Sequence, residues 1–240
     1  ECTNNIPVTI CQMIVYICKA RIEQAEIMAD NYLEKRYDEV FGQQAKTIIR
    51  KSNPSLETML LKNRSHRAYD QSYEVKRLQL EAIVRVNTLT ASARNQQVLR
   101  FKLLTKQDGA GLLDGKYALG GALPELHLPA PGTEPEAFIV VCSTEPENKN
   151  IDIDLGISCE AMSLKAIELG LNAIIIRNFN PDAVRSALGL EYVPLAILAI
   201  GKGTDKIKIV EIGEADDHNY YRKDGIHYVP KVRLDDLILD

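Results

Sequence analysis

The chain is 240 residues long, 45% hydrophobic and 26% charged, which is ordinary for a globular protein and enough for one full domain plus an extension. A net charge of −4 and a pI near 5.7 argue against a general nucleic-acid surface, because such a surface needs a broad basic face. Five cysteines with no C-x-x-C pair exclude a dense disulfide framework or thiolate metal site, and a reducing cytoplasm is the expected compartment.

Taken in chain order, Ile6–Ala20 is apolar but broken by Pro7, Thr9 and Gln12, and it is too short to span a bilayer. It lacks the basic flank of a secretory leader, and Met28-Ala29-Asp30 reads as a start before a helix. Residues 1–27 are therefore expected to be an N-terminal extension outside the fold. Leu33, Tyr37, Val40 and Phe41 recur at helical spacing over Asn31–Gln44, so residues 28–54 read as a docking helix and linker. From residue 55 to 240 the pattern is that of one domain. The turn Ser52–Ser55 caps a helix over Ser55–Asn63, and Glu74–Leu89 is a strong amphipathic helix with Val75, Leu78, Ile83, Val86 and Leu89 as its apolar set.

Val98–Thr105 alternates as a strand, and Glu136–Ser143 is a buried strand apolar on both faces. Between them, Gly109–Gly121 and Pro124–Pro135 are loops, placed by their composition over a site. Asp152–Gly170 reads as a long central helix, capped by Asp152 or Asp154 and apolar around much of its circumference. A strand over Asn172–Ile176, a helix over Pro181–Leu188 and a strand over Pro194–Ile200 follow, an order that implies α+β or α/β. Gly201-Lys202-Gly203 lacks the spacing of a phosphate-binding loop and reads as a strand exit. Cys142 and Cys159 fall in core elements as inert thiols. His66, His127, His218 and His227 share no metal-ligand spacing and are expected on the surface or in loops, while Ser158, Ser163 and Ser186 sit on helix faces.

Three stretches carry chemistry. In Asn63–Tyr69, N-R-S-H-R-A-Y, two guanidiniums three residues apart flank a hydroxyl, a set that suits a phosphate. Near the far end Lys231 and Arg233 are two apart, so an extended strand points both the same way. Between them Thr90–Gln97, T-A-S-A-R-N-Q-Q, is a small, polar run directly after an amphipathic helix.

In this order the three stretches resemble the flavin-binding signature of the FMN-dependent nitroreductase family, over roughly Ser55–Asp240. The resemblance implies an α+β fold with a central, mostly antiparallel sheet flanked by helices, and a homodimer with flavin at its interface. It implies that Arg64, Ser65 and Arg67 hold the phosphate and pyrimidine side of FMN, and that Lys231 and Arg233 complete the phosphate clamp. Ser92, Ala93 and Asn95 then contact flavin in the partner subunit, and Arg177 and Asn178 stand where the family places its segment beside the flavin N5. The departures are Asn63 for a first arginine, Ala91 for a proline, Val98-Leu99 for Pro-Trp, and Arg177-Asn178 where glycine is usual. The activity implied is that of an FMN-dependent oxidoreductase drawing on NADH or NADPH and passing reducing equivalents to a small acceptor such as a nitroaromatic or quinone. A flavin-binding carrier or sensor without turnover is the alternative. Neither nucleic acid nor membrane is an expected partner.

Overall fold

The computed structural model describes residues 54–239. The expected extension 1–27 and the docking helix of segment 28–54 lie outside the described residues. The core is built on β2 (Ala137–Ser143) and β4 (Val193–Gly201), whose runs A-F-I-V-V-C-S and V-P-L-A-I-L-A-I-G leave almost no polar face for water. They pair antiparallel at the centre of a four-stranded sheet, flanked by β1 (Leu99–Leu104) beside β2 and β3 (Asn172–Ile176) beside β4.

Helices and loops cover both faces of this sheet. On one face Ile139, Val141 and Leu198 pack with Leu80 and Ile83 of α2 (Arg77–Arg85) and with Leu155, Cys159 and Met162 of α3 (Lys149–Glu168). On the other face Phe138, Val140 and Ile197 meet Val184 of α4 (Pro181–Leu188) and Leu113 and Leu119 of the long loop after β1. Each such side chain, wholly out of water, contributes about 1.5–3 kcal/mol of transfer free energy. The architecture is thus the expected α+β one, with an all-antiparallel central sheet between helical layers.

The element boundaries carry information of their own. The first described helix, α1 (Leu56–Lys62), starts where expected, with the Ser55 side chain accepting from the Thr58 amide at 3.2 Å. In α2 the apolar set is different from the one read off the sequence: Leu78 and Leu89 are 76% and 86% exposed, and Leu80, absent from that set, is wholly buried with Ile83. The helix begins at Arg77 and ends at Arg85, so Val75, although buried, lies before it, and Val86 and Leu89 lie after it; none of the three shares its helical spacing. Helix α3 begins one turn earlier than expected because Asn148 takes the cap, its Oδ1 accepting from the amides of Asn150 and Ile151. Asp154, expected at the cap, is instead inside the helix and buried.

Beyond the central sheet lies a second, three-stranded one: β5 (Lys206–Ile212) runs parallel to β7 (Ile226–Val232), and β6 (Tyr221–Lys223) antiparallel to it. Of these only the end of β7 was anticipated, although K-I-K-I-V-E-I carries the two-residue period of a half-exposed strand. Cys142 and Cys159 are free and buried, and burial pushes their thiols up to about 11 and about 12, so both stay protonated as expected.

Candidate functional site

The stretch Asn63–Tyr69 leaves α1 and is laid along the exit of β4. Tyr69 bridges to Gly203, the Asp70 amide donates to the Lys202 carbonyl at 2.8 Å, and the Thr204 amide donates to that of Ala68 at 3.0 Å. This approach explains the two glycines of Gly201-Lys202-Gly203. A Cβ on Gly201 would stand 2.7 Å from the Tyr69 ring, and one on Gly203 would stand 2.1 Å from the His66 imidazole. Asp205 then fixes the segment: its Oδ2 accepts from the amides of Arg67 at 2.6 Å and Ala68 at 3.0 Å, and its Oδ1 accepts from Arg222 at 2.6 Å.

The result is a cavity of about 310 Å³ between this segment, α3, β3 and the second sheet, lined among others by Arg64, Ser65, Arg67, Glu160, His227 and Lys231. Three lining side chains are cations and one is a carboxylate, Glu160, which already accepts from Asn63 at 3.0 Å. Arg67 is buried. Its Nη1 donates to the Ser65 carbonyl at 3.0 Å and meets His227 Nε2 at 3.3 Å, while its guanidinium lies 4.7 Å over the Tyr220 ring. A guanidinium only donates, so His227 accepts through Nε2 and is the neutral Nδ1–H tautomer. Burial, reinforced by the charges of Arg67 and Arg222, pushes His227 down to about 4. Burial likewise lowers His66, against an opposing pull from Asp205. Both were expected on the surface or in loops. They are buried because the glycines of β4's exit admit one and the second sheet encloses the other.

Among the described residues, the buried side-chain nitrogens and oxygens without a hydrogen-bond partner are Arg64 Nε, His66 Nδ1, Arg67 Nε, Arg222 Nε and His227 Nδ1. All five belong to this one cluster. Arg64, Arg67 and His227 line the cavity, while His66 and Arg222 stand beside Asp205 and do not line it.

The other anticipated residues lie elsewhere. Ser92 lines a second, larger cavity of about 640 Å³ between α2, β1 and α3. Its Oγ donates to Asp154 Oδ2 at 2.6 Å and accepts from the Gln97 amide at 3.0 Å, and Asp154 Oδ1 accepts from the Ala93 amide at 2.8 Å. Arg94, Asn95 and Gln97 all have φ near +50°, a region that residues other than glycine rarely adopt, so the turn is strained and the buried Asp154 carboxylate holds it. Asn95 turns its Oδ1 to Gln97 at 3.0 Å. Arg177 is exposed and pairs with Glu147 at 2.8 Å, and the Asn178 carbonyl accepts from the Ala118 amide at 2.9 Å. Lys231 lines the smaller cavity, whereas Arg233 lies just past the end of β7 and is ion-paired to Asp236 at 2.9 Å.

The model of the family described as "Nitroreductase family" matches residues 60–202, more than half of the chain. The chain belongs to the nitroreductase family. The fold agrees with that membership. A protein of Exiguobacterium sibiricum 255-15 classed as a nitroreductase and solved in complex with FMN is 20% identical, with a TM-score of 0.52 over 63% of this chain and 90% of the other. A point variant of the FMN- and NADPH-dependent nitroreductase NfnB from Sphigopyxis sp. strain HMH is 18% identical, with a TM-score of 0.52 over 63% of this chain and 89% of that one. No curated protein sequence matches the chain. Among the described residues no helix is long and apolar enough to cross a membrane.

Within this nitroreductase-family chain, Asp205, Tyr220 and Arg222 of the cluster carry no motif in the sequence, and His227, expected on the surface or in a loop, is instead buried. The signal available for His227 was its place in the alternating run I-H-Y-V, where it takes an inward position of β7. Nothing local marks Asp205, whose role rests on contacts 138 residues apart.

Proposed function

We propose that the protein is an FMN-dependent NAD(P)H oxidoreductase that reduces a small organic acceptor such as a nitroaromatic or quinone. The observation that carries the proposal is that three cations, Arg64, Arg67 and Lys231, line one cavity with Ser65, where the lining carboxylate Glu160 is already engaged by Asn63. These residues fit an anionic group. Arg64, Ser65 and Lys231 would hold the phosphate monoester of FMN, and Arg233, just past β7, would join them by exchanging Asp236 for that phosphate. Arg67, deeper in, sets positive charge against the electron-rich pyrimidine end of the ring system. Flavin supplies the hydride chemistry when bound, and the chain supplies binding, orientation and charge.

Arg67 favours the reduced, more anionic state of whatever ring it faces and so raises its potential. Arg177 and Asn178 lie at the exit of β3, the position assigned to the flank of the reactive nitrogen; the Arg177 side chain is drawn aside by Glu147.

The protein acts as a homodimer in this reading. Ser92, which shares its turn with Ala93 and Asn95, lines a cavity separate from that of Arg67, so a second copy is what brings the two sets to one flavin. Helix α3 turns Ile153, Gly156 and Ile157 to solvent, with the two isoleucines 59% and 38% exposed, an apolar stripe suited to a partner.

Purified protein is expected to be yellow and to release FMN, not FAD, on denaturation. Colourless protein that takes up no added FMN overturns the proposal. Protein that holds FMN but is reduced by neither NADH nor NADPH turns it to the carrier or sensor reading.

A further inference from the structure

One carboxylate, Glu160, lines the cavity that holds Arg64, Ser65, Arg67 and Lys231. Glu160 and Ser163 are three residues apart on one face of α3, and both reach the cavity wall. The Ser163 hydroxyl is taken by the Cys159 carbonyl at 2.8 Å, so Glu160 is the polar group that α3 offers there. Three cations share the cavity, yet among the described residues Glu160 is ion-paired to none of them. The Arg64 guanidinium turns back on the Leu60 carbonyl at 2.9 Å, and that of Arg67 on the Ser65 carbonyl at 3.0 Å and on His227 at 3.3 Å. The partner Glu160 does have is neutral: Asn63 Nδ2 donates to its Oε1 at 3.0 Å. That bond anchors the side chain without cancelling its charge. Oε2 has no partner among the described residues and is not one of the buried unpaired atoms, so solvent reaches it.

We propose that Glu160 is a specificity-determining residue of this site, its free oxygen accepting from a hydroxyl of the chain that joins ring to phosphate in the bound flavin. A carboxylate only accepts, so the ligand group it meets must be a donor. The inference rests on the flavin reading and deepens it: the cations read the phosphate, and Glu160 reads the hydroxylated chain beside it. Selection then works in both directions. A ligand with hydroxyls on that chain gains a charge-assisted bond, and a phosphate on a plain chain meets the negative charge with nothing to offset it.

Two ligands separate this contact from the bare charge of the carboxylate. One is FMN, and the other is its deoxy analogue, with the same ring and phosphate monoester on an unsubstituted five-carbon chain. Removing a negative charge favours both phosphates alike, so it cancels in the ratio of their dissociation constants, read on the full chain by quenching of flavin fluorescence. Wild type is expected to prefer FMN at least about tenfold, and that preference to shrink about tenfold in Glu160→Ala and by less in Glu160→Gln, which keeps an uncharged acceptor. A preference in Glu160→Ala within about threefold of wild type overturns the proposal, as does a wild type that binds the two ligands equally. FMN binding that tightens in Glu160→Ala at unchanged preference identifies a merely repulsive charge and overturns it too. Should neither variant fold, ¹³C spectra of wild-type protein labelled at its glutamate carboxyls decide: FMN moves the Glu160 resonance and the deoxy analogue does not, and equal shifts overturn the proposal. Wild type that binds neither ligand removes the flavin reading and this inference together, whereas binding whose preference is indifferent to Glu160 removes this inference alone.

Discussion

At the scale of single residues the site is a problem of charge. The Arg222 guanidinium and the Arg67 backbone amide share one buried carboxylate, Asp205, the Arg67 guanidinium itself pairs with no carboxylate among the described residues, and two neutral imidazoles lie beside them. Taking one cation from the rim should weaken an anionic ligand far more than it weakens the fold: Arg64→Ala is expected to reduce FMN affinity on the order of ten- to a hundredfold, since a charge-assisted bond is worth about 1.5–3 kcal/mol. Arg233→Ala should cost less, because Arg233 must first leave Asp236. Equilibrium dialysis of the two variants checks the order, and equal losses contradict the exchange. The imidazoles give a pH signature as well. The folded state holds His227 at about 4, below the ordinary 6.5, so the unfolded chain binds a proton first. The stability this contributes is complete above about 6.5 and is lost as pH falls toward about 4, by at most about 3 kcal/mol. His66 is shifted the same way. Urea midpoints measured across that window should fall in wild type and fall less in His227→Gln.

Elements decide how much of this could be read in advance. Strands apolar on both faces, β2 and β4, and helices with a proline or serine at their start, α4 and α1, announce themselves because a local rule fixes them. Leu78 falls outside the buried stripe because Val75, buried but two residues before the helix, gives it no helical spacing, and the helix start is set by Lys76 and Gln79, whose capping interaction no apolar pattern shows. Asp154 misled for a related reason: Asn148 is the better cap, which leaves the carboxylate free to hold the Ser92 loop. Arg64, Ser65, Arg67 and Lys231 were named from sequence and do meet in one cavity, whereas the company of Arg67 is brought by tertiary contacts no short motif encodes. Asp154→Ala leaves the Ser92 hydroxyl and the Ala93 amide without their acceptor and releases the turn at Arg94, Asn95 and Gln97. We expect a loss of about 1–3 kcal/mol in stability and faster amide exchange at residues 93–97. Unchanged exchange there would show that the turn holds itself.

Across the whole molecule, α3 joins the two halves of the proposed site: Asp154 and Ser158 face the larger cavity, and Glu160 and Ser163 the smaller, along one helix. Its exposed isoleucines lie on the same rod, so assembly and ligand binding are expected to fail together. Ile157→Glu places a charge in that stripe, and light scattering should find a monomer with most of its FMN gone. A monomer that keeps its flavin would confine the site to one chain. The span of the contacts at Arg67 has one more consequence. Its amide is held by Asp205, 138 residues on, and its guanidinium by His227, 160 residues on. A nascent chain therefore emerges from the ribosome with its first cavity segment long before anything exists to close on it, and pairings of such separation form late. In the proposed reading, flavin capture then reports that synthesis has passed β7, and a chain terminated after β4 is born without a pocket to fill.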